Sequence, residues 1–128
     1  MKLLLDTQLL LWAAGAPRRL STVARRLLAD SRHELWFSAA SLWEVTIKAQ
    51  LGREDLVVAP RVLRRGLLEN GYRELSITSE HAVQLEGLPD LHRDPIDRLL
   101  VAQAQYEGIT LLTADERVAS YPGPIRLV

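Results

Sequence analysis

The chain has 128 residues, enough for one domain around a single core. Apolar residues make up 48% and charged residues 25% of it, and no apolar run reaches the roughly 20 residues a membrane-spanning helix needs. Sixteen basic residues balance sixteen acidic ones and cysteine is absent, which excludes a protein that coats nucleic acid through bulk positive charge and any disulfide or thiolate metal site.

Taken in chain order, Lys2 to Leu5 is a short apolar run that reads as a buried strand. Asp6 ends it too early for a secretion signal, so a cytoplasmic protein is expected. Thr7 to Ala14 suits a helix, which Gly15-Ala16-Pro17 breaks. Ser21 has the chemistry of an N-cap for a helix reaching about Ser31. Glu34 to Ser38 is a second strand, and Ala39 to Leu51 a helix with Gly52 in the position of a C′ glycine. Pro60 opens a helix that Asn70-Gly71 closes. Glu74 to Ile77 is a third strand, followed by a short helix from Ser79 to about Leu85. Pro95 to Glu107 is a helix stopped by Gly108, and Ile109 to Thr113 is a strand. A helical turn near Glu116 and a last strand from Ile125 to Val128 complete the chain.

Strands alternating with helices predict an α/β fold, a parallel sheet covered on both faces. Sites in such sheets lie beyond the carboxyl ends of the strands. Asp6 follows the first strand directly, and Asp115 follows the Ile109–Thr113 strand by two residues. Both acids therefore fall on one edge of the sheet.

Each candidate acid also has a local structural explanation. Asp6 could cap the helix that begins at Thr7. Glu44 completes a Ser41-Leu42-Trp43-Glu44 capping box and precedes Lys48 by four residues, so chain-local physics favours a structural role. Asp94 reads as an N-cap with Pro95 in the first helical position. Asp97 then lies in the first turn, on the face it shares with Leu100, Val101 and Ala104. A carboxylate on a packing face is costly unless paired or metal-bound, which favours function. Asp115 could cap the turn at Glu116, helped by Thr113. Local capping does not explain why the acids converge. Clustered carboxylates repel one another, and hard divalent cations such as Mg²⁺ or Mn²⁺ resolve that repulsion with oxygen ligands suited to phosphodiester chemistry.

His33, His81 and His92 show no ligand spacing, so no zinc site is expected. His92 reads as a surface histidine, with phosphate binding as the alternative. Fourteen of the sixteen basic residues are arginine, the better residue for bidentate phosphate contacts. Arg18, Arg19, Arg93, Arg98 and Arg117 are candidates for such contacts, each weighed against a plain surface charge.

Four segments together resemble a known family: LLLDTQLLLWA at 3–13, FSAASLWEVTIKAQLG at 37–52, HRDPIDRLLVAQA at 92–104 and LLTADERVASYP at 111–122. Their order and spacing are similar to those of PIN-domain nucleases of the VapC toxin group, and the match runs over essentially the whole chain. The resemblance implies one PIN-like nuclease domain over residues 1–128, a three-layer α/β/α sandwich with a central, mainly parallel sheet. It implies that Asp6, Glu44, Asp97 and Asp115 form an acidic pocket for Mg²⁺ or Mn²⁺. Asp94 matches a further acid of the family and is placed as a helix cap or outer group. Thr113 matches a polar position beside the last acid. The implied activity is endoribonuclease action on RNA, as the toxin of a toxin–antitoxin pair. The implied partners are a second copy of the chain and a cognate antitoxin, which alone would bind DNA.

Two rival classes lack their residues. A receiver domain needs an acid pair after the first strand and a late lysine, and the lysines here are Lys2 and Lys48. A haloacid-dehalogenase-like phosphatase needs an acid at position 8, which is Gln8. The remaining alternative is a PIN-like protein that binds RNA or a partner without cleavage.

Overall fold

A computed structural model describes residues 1–52 and 58–128. Among them, five strands form one all-parallel sheet in the order β3-β2-β1-β4-β5. The strands are β1 Lys2–Leu5, β2 Glu34–Ser38, β3 Arg73–Leu75, β4 Thr110–Thr113 and β5 Ile125–Leu127. The helices are α1 Thr7–Gly15, α2 Thr22–Ala29, α3 Ala39–Gln50, α4 Pro60–Glu69, α5 Ser79–Gln84, α6 Pro95–Glu107 and α7 Glu116–Ala119. Short 3-10 turns at Pro17–Arg19 and Leu85–Gly87 have no counterpart in the sequence reading.

The two faces of the sheet are buried by different helices, which is why β1 reads as an unbroken apolar run. Leu4 and Leu111 face a core with Leu100, Val101 and Ala104 of α6. Leu3, Leu5 and Leu112 face the other core, with Leu9 and Leu10 of α1, Val45 of α3 and Leu63 and Leu67 of α4. Burying each such side chain stabilises the fold by about 1.5–3 kcal/mol. The result is the expected α/β/α sandwich. Among the described residues, no helix is long and apolar enough to cross a membrane.

Element bounds differ from expectation where a polar side chain intervenes. Helix α2 stops at Ala29 because the Asp30 carboxylate accepts the Arg32 backbone N–H at 3.0 Å and turns the chain. Strand β3 ends at Leu75, short of Ile77, because the Thr78 side chain caps α5. Helix α6 ends as expected, with Gly108 in the left-handed region at φ 67°.

The strand order decides where the site lies. From β1 the chain winds outward to β2 and β3, then returns to place β4 on the other side of β1. The β1/β4 boundary is thus a topological switch point, where parallel sheets open a crevice at their carboxyl edge.

Candidate active site

Asp6 and Asp115 stand at that boundary. Leu5 lies opposite Leu112 in the β1/β4 pair, and the Asp6 backbone N–H extends the ladder by donating to the Leu112 carbonyl at 3.1 Å. Asp6 Oδ1 accepts the Leu9 backbone N–H at 2.9 Å, so Asp6 does cap α1. Its Oδ2 accepts the Thr113 hydroxyl at 2.6 Å. The same hydroxyl oxygen accepts the Asp115 backbone N–H at 3.0 Å. Asp115 Oδ1 caps α7 by accepting the Arg117 backbone N–H at 2.8 Å, and the Arg117 guanidinium pairs with Asp115 Oδ2 at 3.2 Å. Capping and convergence are therefore compatible: one carboxylate oxygen serves the helix while the other faces its neighbours.

Glu44 comes from α3 and lines the same cavity. The capping box read at Ser41 is not formed. Ser38 is the N-cap, accepting the Ala40 N–H at 3.0 Å, because β2 runs straight into α3. Ser41 is instead buried inside the helix and accepts the Thr7 hydroxyl at 3.0 Å, tying α3 to α1. The expected ion pair with Lys48 is present, Nζ to Oε2 at 3.0 Å. Glu44 Oε1 is buried without a hydrogen-bond partner among the described residues.

Asp97 arrives on the first turn of α6. Asp94 caps this helix, its Oδ1 accepting the Ile96 and Asp97 backbone N–H groups at 2.9 and 3.2 Å. His92 is not the surface residue expected. Its side chain is 8% exposed, with Nε2 2.9 Å from Asp97 Oδ2 and 3.8 Å from Asp115 Oδ2. One ligand atom from each of His92, Asp97 and Asp115 lies within 4.8 Å of the other two. Nothing local in the sequence marks this histidine, because its burial comes from contacts far along the chain.

These side chains line a cavity of about 620 Å³, with Lys48 and Arg117 as its cations and Trp12 in its wall. Burial pushes the Asp6 carboxyl above its ordinary range, against the Thr113 and Leu9 hydrogen bonds, while the charges of Asp115 and Glu44 add to the rise. Asp97 is pushed up to about 6 by burial and then by the charge of Asp94, with the His92 hydrogen bond opposing. Asp115 pays some desolvation, but the Arg117 side chain and backbone hydrogen bonds hold it below the usual carboxylate range.

The arginines divide. Arg98 is committed to the fold, its Nη1 donating to the Pro89 carbonyl and the Tyr121 hydroxyl, both at 2.9 Å. Arg19 stacks over the Trp12 ring at 5.6 Å, near the cavity wall. Arg18 and Arg93 are exposed. Arg117 lines the cavity itself.

A divalent cation fits this set of residues. Ligand atoms of Asp97 and Asp115 lie within 4.8 Å of each other and of His92, Asp6 and Glu44 line the same cavity, a buried Glu44 oxygen lacks a donor among the described residues, and Asp6 and Asp97 are both pushed toward protonation. A buried acceptor without a partner calls for a cation or ordered water. Oxygen donors suit Mg²⁺ or Mn²⁺, and the single imidazole is tolerated by Mn²⁺.

Comparison with known proteins bears on the family and the fold. The sequence profile described as "PIN domain" matches residues 3–124. Ribonuclease VapC22 of Mycobacterium tuberculosis is 32% identical over 122 residues, which cover 94% of this chain and 92% of that protein. The fold is shared with VapBC2 of Rickettsia felis bound to a promoter DNA fragment, at TM-score 0.74 and 15% identity over 99% of this chain and 98% of that one. It is also shared with DNA-bound VapBC of Salmonella typhimurium, at TM-score 0.66 and 17% identity over 100% and 97% of the two chains.

Proposed function

The chain belongs to the PIN-domain family, and from that premise we propose that it is the ribonuclease toxin of a toxin–antitoxin pair, a Mg²⁺- or Mn²⁺-dependent endoribonuclease working through Asp6, Glu44, Asp97 and Asp115. The observation that supports the site assignment is that these acids, from the ends of β1 and β4 and from α3 and α6, line one cavity, and that Glu44 carries a buried oxygen without a partner among the described residues. Residues 1–128 act as one nuclease domain in this reading.

A bound Mg²⁺ or Mn²⁺ would supply Lewis-acid polarisation of an RNA phosphodiester and of a nearby water. The chain's own residues do the rest. Asp6 presents a carboxylate whose two oxygens are fixed by Leu9 and Thr113. Glu44 offers a free buried oxygen while Lys48 balances part of its charge. Asp97 and Asp115 complete the acidic lining of the cavity. Thr113 orients Asp6, and Asp94 holds the helix end on which Asp97 sits. Arg117, at the rim, is placed to meet a substrate phosphate, and the overall neutral charge leaves RNA binding to such local contacts.

The biological context proposed is a cytoplasmic homodimer held in check by a cognate antitoxin. VapC22 is named a ribonuclease, and two fold relatives are VapBC assemblies on DNA. In this proposal DNA contact belongs to the antitoxin. The test is cleavage of a broad RNA panel by the purified chain with Mg²⁺ or Mn²⁺, abolished by EDTA and by Asp6→Asn in a folded protein. RNA binding without cleavage across the panel would support the non-cutting alternative.

A further inference from the structure

Resting on that four-acid reading and going beyond it, we infer that His92 is a positioning residue that holds the Asp97 carboxylate in place for the cation, and that Tyr121 and Arg98 hold His92. Each of the other acids has its own fixing donor: Leu9 and Thr113 for Asp6, Lys48 for Glu44, Arg117 for Asp115. Among the described residues, the side chain within hydrogen-bond distance of the Asp97 carboxyl is the His92 ring, Nε2 to Oδ2 at 2.9 Å. Without it, a carboxylate on the first turn of α6 would rotate away from like charges on Asp94, Asp6 and Glu44. A ring N–H at Nε2 would donate to this contact.

His92 sits in the irregular segment before α6, so no helix or strand places it. Tertiary contacts do. Its backbone N–H donates to the Tyr121 hydroxyl oxygen at 2.9 Å, and that hydroxyl lies 3.4 Å from the His92 carbonyl, which it can donate to. Arg98 Nη1 donates to the same hydroxyl oxygen at 2.9 Å and to the Pro89 carbonyl at 2.9 Å. The phenol thus uses its one donor and two acceptor positions on this segment and its clamp. Tyr121 is 4% exposed, so the anchor is part of the core and not a surface contact. Groups that hydrogen-bond to a metal ligand fix its orientation, and their loss commonly weakens metal binding 10–100-fold.

The test compares His92→Phe, His92→Gln and Tyr121→Phe with the unaltered chain, reading Mn²⁺ affinity by calorimetry beside cooperative thermal unfolding without metal. His92→Phe should weaken Mn²⁺ binding at least about tenfold, His92→Gln should restore it to within a few-fold through its amide donor, and Tyr121→Phe should fall between. Should His92→Phe fail to fold, the other two variants carry the comparison. In the metal-free protein, ¹⁵N shifts of the His92 ring at neutral pH should show the proton on Nε2. Unchanged Mn²⁺ affinity in His92→Phe overturns the inference while leaving the cation site standing. Equal losses in His92→Phe and His92→Gln also overturn it, since that pattern marks an imidazole that ligates the ion. The opposite tautomer does the same. No Mn²⁺ binding by the unaltered chain overturns the cation reading, and the inference falls with it.

Discussion

The Thr113 hydroxyl donates to Asp6 Oδ2 at 2.6 Å, joining two residues 107 positions apart in sequence at the ends of adjacent strands. The same oxygen receives the Asp115 backbone N–H, so one side chain sets the spacing between two acids of the proposed site. Thr113→Val keeps the shape and removes both bonds. We expect Mn²⁺ affinity to fall about tenfold or more, read by calorimetry, with stability reduced by roughly 1–3 kcal/mol in a urea melt, because a buried carboxylate loses a donor. Undiminished affinity would show that Asp6 is held by its Leu9 contact alone.

Glu44→Gln separates the structural and functional readings of that residue. Its helix ion pair with Lys48 is worth only about 0.3–0.5 kcal/mol, and the capping box does not exist, so the melting temperature should scarcely change. RNA cleavage should drop by two orders of magnitude or more, in line with the roughly 10²-fold or larger effects of losing a transition-state stabiliser. Full activity in a folded Glu44→Gln protein would remove Glu44 from the site.

The metal-free protein should be more stable at pH 5 than at pH 7.5. Asp97 has its folded pKa raised from 3.8 to about 6, and Asp6 is shifted in the same direction. Between the unfolded and folded values the native state binds the extra proton, so stability falls as pH rises through that window and levels off above it. With allowance for solvent screening the change from Asp97 is on the order of 1–2 kcal/mol. Melting curves from pH 4.5 to 8 check the slope, and Asp97→Asn should flatten it.

Saturating Mn²⁺ should reverse that pH trend, because binding requires the acids to be deprotonated. At a concentration of about 100 times the dissociation constant the folded state gains about 2.7 kcal/mol. For a chain of this size that raises the melting temperature on the order of 10 °C. EDTA should cancel the shift. Asp6→Asn should abolish it, and persistence of the full shift in that variant would place the cation elsewhere.

Much of this architecture was legible in the chain itself. Strand β1 showed as an apolar run, α6 as a periodic helix between Asp94-Pro95 and Gly108, and the caps at Ser21, Asp94 and Asp115 as single residues before helices. These signals work because hydrogen bonding at helix ends and side-chain periodicity act within about four residues, inside the reach of local sequence. Asp6 and Asp115 could be placed on one sheet edge for the same reason: each directly follows a strand. Tertiary structure alone decided that β1 and β4 are neighbours, that Ser38 and not Ser41 caps α3, and that His92 is drawn inward. Each depends on a partner distant in sequence: Leu112 for Asp6, Thr7 for Ser41, Tyr121 for His92. Such contacts leave no periodic or capping trace, so Asp6, Asp97 and Asp115 stood out in the chain as candidates, Glu44 entered only through the family resemblance, and His92 did not stand out.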